Sequence, residues 1–177
     1  MLNSSFLPLS DGIRTLRVFA AQDTGRYLAA VQDPLIQEFG YLPAAQHTER
    51  SVAQLAETVA PLGLSRGDLG LLSIVDDSDT FLGSLVLFNA TRDSAEVGVW
   101  LLPQERGSGH ALGALKLAAT FAKQSGLREL IARNVEDNYA SKYVVERAGF
   151  EEVARGMDKT PSGEQAPHVH YRLVLRS

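Results

Sequence analysis

Residues 100–116 read WLLPQERGSGHALGALK, and the fold turns on where this stretch is divided. Apolar residues run up to Pro103, and an apolar pattern at helical spacing begins at Ala111. Between them lies Gln104-x-x-Gly107-x-Gly109, a glycine-rich turn at a strand-to-helix junction. Glycine has no Cβ, so the backbone there can approach a ligand closely and adopt turns denied to other residues. The amides that open a helix have no intrahelical acceptor and point outward. Together with the helix dipole they make a cradle for a pyrophosphate. The spacing alone is weak evidence, because a glycine-rich turn that only joins two elements fits it as well. No Gly-Lys-Ser/Thr follows, so this is not a Walker loop, and GSGHALG misses the third-glycine spacing of a dinucleotide fingerprint.

Outward from the junction, both flanks have readable patterns. Upstream, LGLLSIV (69–75), FLGSLVLF (81–88) and Ala95–Leu102 read as three strands, the first two joined by a turn at DDSDT. Further upstream the spacing predicts a strand over 12–19, and a helix capped by Asp23 that Asp33-Pro34 breaks. A second helix is expected to be capped by Thr48 and ended by Pro61 and Gly63. Downstream, a helix over 111–123 leads to Gly126, then to a strand over 127–133 and a helix from Tyr139 to Arg147. FEEVAR (150–155) and HVHYRLVL (168–175) are two closing strands. The predicted order is β-α-α-β-β-β-α-β-α-β-β, which implies an α/β class with a mixed sheet and helices on both faces.

The chain of 177 residues suits one domain spanning 1–177. Hydrophobic residues at 45% and charged residues at 21% are ordinary globular values. A net charge of −4 offers no basic face for nucleic acid. With no cysteine, disulfides, thiolate nucleophiles and cysteine-ligated metals are excluded. The four histidines form no obvious metal set, so no metal is expected. No apolar run is long enough for a membrane span, and the N-terminus lacks the basic and apolar regions of a signal peptide. The expected location is cytoplasmic.

The junction, followed by Asn138-x-x-Ser141 and by Gly149-Phe150, resembles the GCN5-related N-acetyltransferase (GNAT) family. The resemblance is to the branch that holds the RimJ and RimL ribosomal-protein acetyltransferases and the spermidine acetyltransferases. It is strong over about residues 95–153, where AEVGVWLLP, QERGSGHA and NYASKYVVERAGF stand in the family's order. It implies a GNAT fold and acetyl-CoA as cosubstrate. The acceptor it implies is a primary amine, on a protein N-terminus or on a small molecule. Relatives in this branch are often dimers, so it leaves a homodimer open as an assembly.

The resemblance also implies roles for residues. Backbone amides of Arg106, Gly107, Ser108, Gly109 and His110 would hold the pyrophosphate, with Gln104 at the first position of the motif. Leu101 and Leu102 would pair with the pantetheine arm through their backbone. Asn138 would hydrogen-bond that arm, although a helix cap fits it too. Ser141 would sit near the cofactor sulfur as the acid for the departing thiolate, or simply as a small residue giving room. Many relatives carry a tyrosine five residues before the phenylalanine of Gly-Phe. Here that position is Val145, and Tyr143 lies about 200° away around the helix.

Amine acetylation needs a neutral amine, a polarised thioester carbonyl and a near-attack pose. The family supplies the second through a backbone N–H at a strand bulge, expected here near Gly98–Trp100. For the first, Glu96 is the candidate base, with Glu151 and Glu152, or His168 and His170, as further choices. The acceptor pocket is expected between the first two helices, the loop at 40–47 and the hairpin loop at 159–168, with Trp100 in the core. Two other readings stand beside acetyl transfer. One is a non-catalytic acyl-CoA-binding sensor, the other an unrelated phosphate-binding domain.

Overall fold

The structure, a computed structural model, describes residues 1–39, 47–160 and 163–175. Its strands are β1 (Leu9–Ser10), β2 (Thr15–Val18), β3 (Gly70–Val75), β4 (Phe81–Phe88), β5 (Ser94–Leu101), β6 (Glu129–Val135), β7 (Glu151–Lys159) and β8 (Gln165–Val174). Its helices are α1 (Thr24–Ala30), α2 (Pro34–Phe39), α3 (Glu49–Gln54), α4 (Ala60–Arg66), α5 (His110–Gln124) and α6 (Tyr139–Arg147). The strands make one 8-stranded sheet in the order β1-β2-β3-β4-β5-β6-β8-β7. β5 and β6 run parallel and every other neighbouring pair is antiparallel. The expected mixed α/β sheet is the one observed.

Each face of the sheet buries its own cluster. α5 presents Ala114, Leu115, Ala118 and Phe121 to Leu72, Leu85, Val97, Leu130 and Tyr171. The other cluster joins Phe19, Tyr27, Val31, Ile36, Val52 and Ala60 to Leu71, Phe81 and Leu102. Trp100 packs edge-on against Tyr27 at 5.2 Å and Phe81 at 5.8 Å.

Three local expectations need correction. Pro61 and Gly63 do not end the helix that Thr48 caps. A π-turn over Leu55–Val59 joins α3 to α4, and the helix stops only at Gly67, which is left-handed at φ 74°. Proline removes one N–H from the ladder, and a wider turn just before it absorbs the missing bond. Asp33-Pro34 ends one helix but also starts the next, since Asp33 Oδ1 accepts from the Ile36 N–H at 3.1 Å and proline suits a first helical position. Asp23 does not cap α1 with its side chain, which accepts instead from the Ala20 N–H at 3.0 Å just upstream. It is 1% exposed and accepts from Arg17 at 2.7 and 2.8 Å and from Ser73 Oγ at 2.6 Å. A buried carboxylate needs such donors more than a helix end needs a cap.

Candidate active site

β5 and β6 pair only over three residues, the last being Glu96 against Ile131. Beyond that point they part, while β5 stays regularly paired with β4 up to Leu101. The N–H of Leu102 is donated to Leu82 O at 2.9 Å. Antiparallel alternation therefore turns the N–H groups of Val99 and Leu101 away from β4, into the gap left by β6. The bulge expected near Gly98–Trp100 is absent, because the ladder there runs without a register shift. An opening between strands leaves free N–H groups without one.

At the end of β5 the chain passes through a short turn, Pro103–Glu105, into the glycine loop. Gly107 and Gly109 have φ of 79° and 76°, a region that strongly favours glycine. The space where a Cβ would project is open at both. α5 starts directly after Gly109 with no side-chain cap. Its first amides thus have no partner from the helix or from a capping side chain.

Arg14, which the sequence did not single out, holds this loop from below. It is 7% exposed, its Nη1 donates to Gly109 O at 2.5 Å, and its Nε lies 3.2 Å from Asp11. Its guanidinium rests against Gly113, where any Cβ would collide with it. Arg106, on the loop itself, turns its guanidinium to Asp33 at 2.7 Å. That hydrogen bond holds the Asp33 carboxyl below the usual carboxylate range.

A cavity of about 780 Å³ runs from the loop into the gap, within the range typical of small-molecule sites. Leu101, Arg106, Gly107, Gly109, His110, Asn138 and Ser141 line it. Gln104 and Ser108 are exposed and are not part of its wall. Leu102 is not part of it either. Its N–H is bound by Leu82, its carbonyl accepts from Glu105 at 2.9 Å, and its side chain is buried among the second cluster. Of the expected acceptor walls, Lys159 and His168 of the closing hairpin are present, whereas α1 and the helix over 49–66 contribute nothing. Leu35, Ile36 and Phe39 of α2, a helix the sequence reading did not name, and Trp100, expected in the core, line the cavity instead. Residues 40–46 lie outside the described residues.

Asn138 Oδ1 accepts from the Ser141 N–H at 3.1 Å, so it caps α6 while also facing the cavity. Ser141 Oγ stands 2.9 Å from the side-chain amide of Asn134. The amide orientation that satisfies every neighbour has Asn134 donating to Arg133 O and accepting from both the Lys142 N–H and the Ser141 hydroxyl. Val145, buried at 3%, has no proton to donate, and Tyr143, though 63% exposed, is among the residues that line the cavity.

Glu96 does not line the cavity. Its Oε2 is 2.8 Å from Arg133, and Arg133 also meets Asp158 at 2.7 Å. The hydrogen bond from Arg133 keeps the Asp158 carboxyl below its ordinary value. Glu151 and Glu152 are exposed on β7, and Glu152 pairs with Arg155 at 2.6 Å. Among the described residues no group of three or more His, Cys, Asp or Glu could hold a metal ion. No described helix is long and apolar enough to cross a membrane.

A regularly hydrogen-bonded strand beside a parted one, running into an uncapped helix over a glycine loop, makes one open cleft with unpartnered N–H groups at both ends. The family model for the acetyltransferase (GNAT) domain matches residues 14–151, and the chain belongs to that family. Solved structures share the fold. The ribosomal-protein-S5-alanine acetyltransferase from Vibrio fischeri superposes with a TM-score of 0.81 at 16% identity, covering 97% of this chain and 98% of that one. Spermidine N-acetyltransferase from Vibrio cholerae, in complex with CoA and spermine, gives 0.78 at 14% identity over 93% and 97%. RimJ from Mycobacterium smegmatis, in complex with CoA-disulfide, gives 0.74 at 22% identity over 92% and 82%. No curated protein matches by sequence.

Proposed function

We propose that this protein is an N-acetyltransferase that passes an acetyl group from acetyl-CoA to a primary amine while both are bound. The observation that carries the reading is the continuity of the cavity, from the uncapped amides at Gly109 to the free β5 N–H groups. The residues present fit the cosubstrate. The amides of Gly107, Gly109 and His110, which line the cavity, receive the pyrophosphate. The backbone of Val99 and Leu101 pairs with the pantetheine arm like an added strand. The thioester is the acetyl donor. A β5 N–H, Val99 being the nearest to the parting of the strands, stabilises the negative charge that develops on its carbonyl oxygen. Asn138 donates from Nδ2 to the arm, its Oδ1 being engaged in the cap. Ser141 lies on the route to the departing sulfur, but its proton is directed to Asn134. Its contribution as an acid is therefore small.

Solved neighbours of similar fold score are named for a protein alanine and for spermidine, so the acceptor is left as a protein N-terminal or small-molecule amine. The buried Val145 in place of a tyrosine donor favours one second reading, an acyl-CoA sensor without turnover.

Calorimetry with acetyl-CoA, followed by a thiol-release assay against peptides and polyamines, tests both. Binding with release on at least one amine is expected. Binding without release across the panel supports the sensor, and no binding ends both readings.

A further inference from the structure

His168 stands on β8 between Val135 of β6 and Gly156 of β7. The residue is only 4% exposed, yet it lines the cavity. Nδ1 lies 2.9 Å from the carbonyl oxygen of Ala166. A carbonyl oxygen can only accept, so Nδ1 carries the proton and the lone pair of the neutral ring sits on Nε2. Among the described residues Nε2 meets no hydrogen-bond partner. The bond to Ala166 fixes both the ring and its tautomer, as a base requires. Glu96 is built for a different task. Its carboxylate is committed to Arg133 at 2.8 Å, and it does not line the cavity.

Resting on the acetyl-transfer reading, we infer that His168 is the general base and that Glu96 positions Arg133 beneath it. The acceptor ammonium gives one proton to His168 Nε2 and becomes a neutral amine. The nitrogen lone pair forms the C–N bond as the C–S bond breaks, and that electron pair leaves on the thiolate. The remaining excess proton on nitrogen passes to the thiolate, giving free thiol, and the imidazolium returns its proton to solvent. The charged groups around the ring are Asp158 on β7, Arg133 on β6, His170 on the same face of β8, and Lys159 at the cavity wall. Asp158 and Arg133 offset each other at 2.7 Å.

The test is kcat/KM against pH for the wild type, His168→Gln, His168→Asn and Glu96→Gln, with the acetyl-CoA Kd of each measured by calorimetry. Both His168 variants should lose about 10²-fold or more near neutral pH and flatten the acidic limb. They should recover part of the rate at high pH, where the amine is already neutral, and keep an unchanged Kd. Glu96→Gln should be slower but retain the limb. A limb that survives in both His168 variants overturns the assignment, as does one that disappears only in Glu96→Gln. Failure of the wild type to bind acetyl-CoA would instead remove the acetyl-transfer reading itself.

Discussion

Arg14 shows how a residue outside the cleft governs it. Its guanidinium is buried, donates to Gly109 O and has Asp11 as counter-charge. A hydrogen bond involving a charged group is worth about 1.5–3 kcal/mol. Arg14→Met keeps bulk and removes the donor, so the loop loses its anchor. The acetyl-CoA Kd should rise about tenfold, roughly the 1.4 kcal/mol of a partly lost bond, and Arg14→Lys should recover only part. An unchanged Kd in Arg14→Met would show that the loop holds its shape unaided. The glycines of the loop were legible because their reason is local, a positive φ at each. Arg14 was not, because its partner lies 95 residues away and no spacing marks that contact. Glu96 was named for its place on the strand, and only the structure shows Arg133 holding it.

At the scale of elements, α5 and its leading loop act as one unit. Gly109 sits at φ 76° with no obstruction to a Cβ, so Gly109→Ala should fold. It should cost about 1–2 kcal/mol for a left-handed alanine, lowering Tm by about 2–8 °C. The new methyl would also project into the open space at the mouth of the anion cradle, weakening acetyl-CoA binding well beyond the loss in stability. Equal binding by the variant in a calorimetric titration would count against an anion cradle there. Elements with a clean apolar period, such as β4 over 81–88 and α6 over 139–147, matched the sequence reading residue for residue. The helix of residues 49–66 did not, because a π-turn is a compensation for Pro61 that proline alone does not announce. The cleft's free N–H groups were expected from a bulge and come instead from the parting of β5 and β6. Strand periodicity reports faces and says nothing of where neighbours separate.

For the molecule as a whole, carboxylates clamped by arginines set the response to acid. Asp33, Asp79 and Asp158 are all held below their ordinary values, in each case chiefly by an arginine hydrogen bond, from Arg106, Arg17 and Arg133 respectively. A depressed folded-state value contributes stability above the unfolded value of about 3.9, which is lost as pH falls through the folded values. The urea midpoint should be flat between about pH 7 and 5 and fall steeply below about 4. Arg133→Met, which frees both Glu96 and Asp158, should be less stable at neutral pH and lose less on acidification. A parallel fall in variant and wild type would remove Arg133 from that account. The mixed sheet was legible from the order of elements. The placing of β8 between β6 and β7 was not, since both closing strands have similar patterns and only the packed sheet chooses between them.

β7 ends the sheet with eight of its nine residues exposed, a geometry that invites another chain to add itself edge to edge. Its sequence resists this, because Glu151, Glu152, Arg155, Asp158 and Lys159 leave little uncharged length. A second copy laid antiparallel about the strand's centre would set Arg155 against itself and Glu152 against Asp158, with only Glu151 and Lys159 complementary. Like charges directly opposite repel across strands. Self-assembly by a centred ribbon is thus disfavoured, and the same charges guard the margin of the sheet against runaway aggregation.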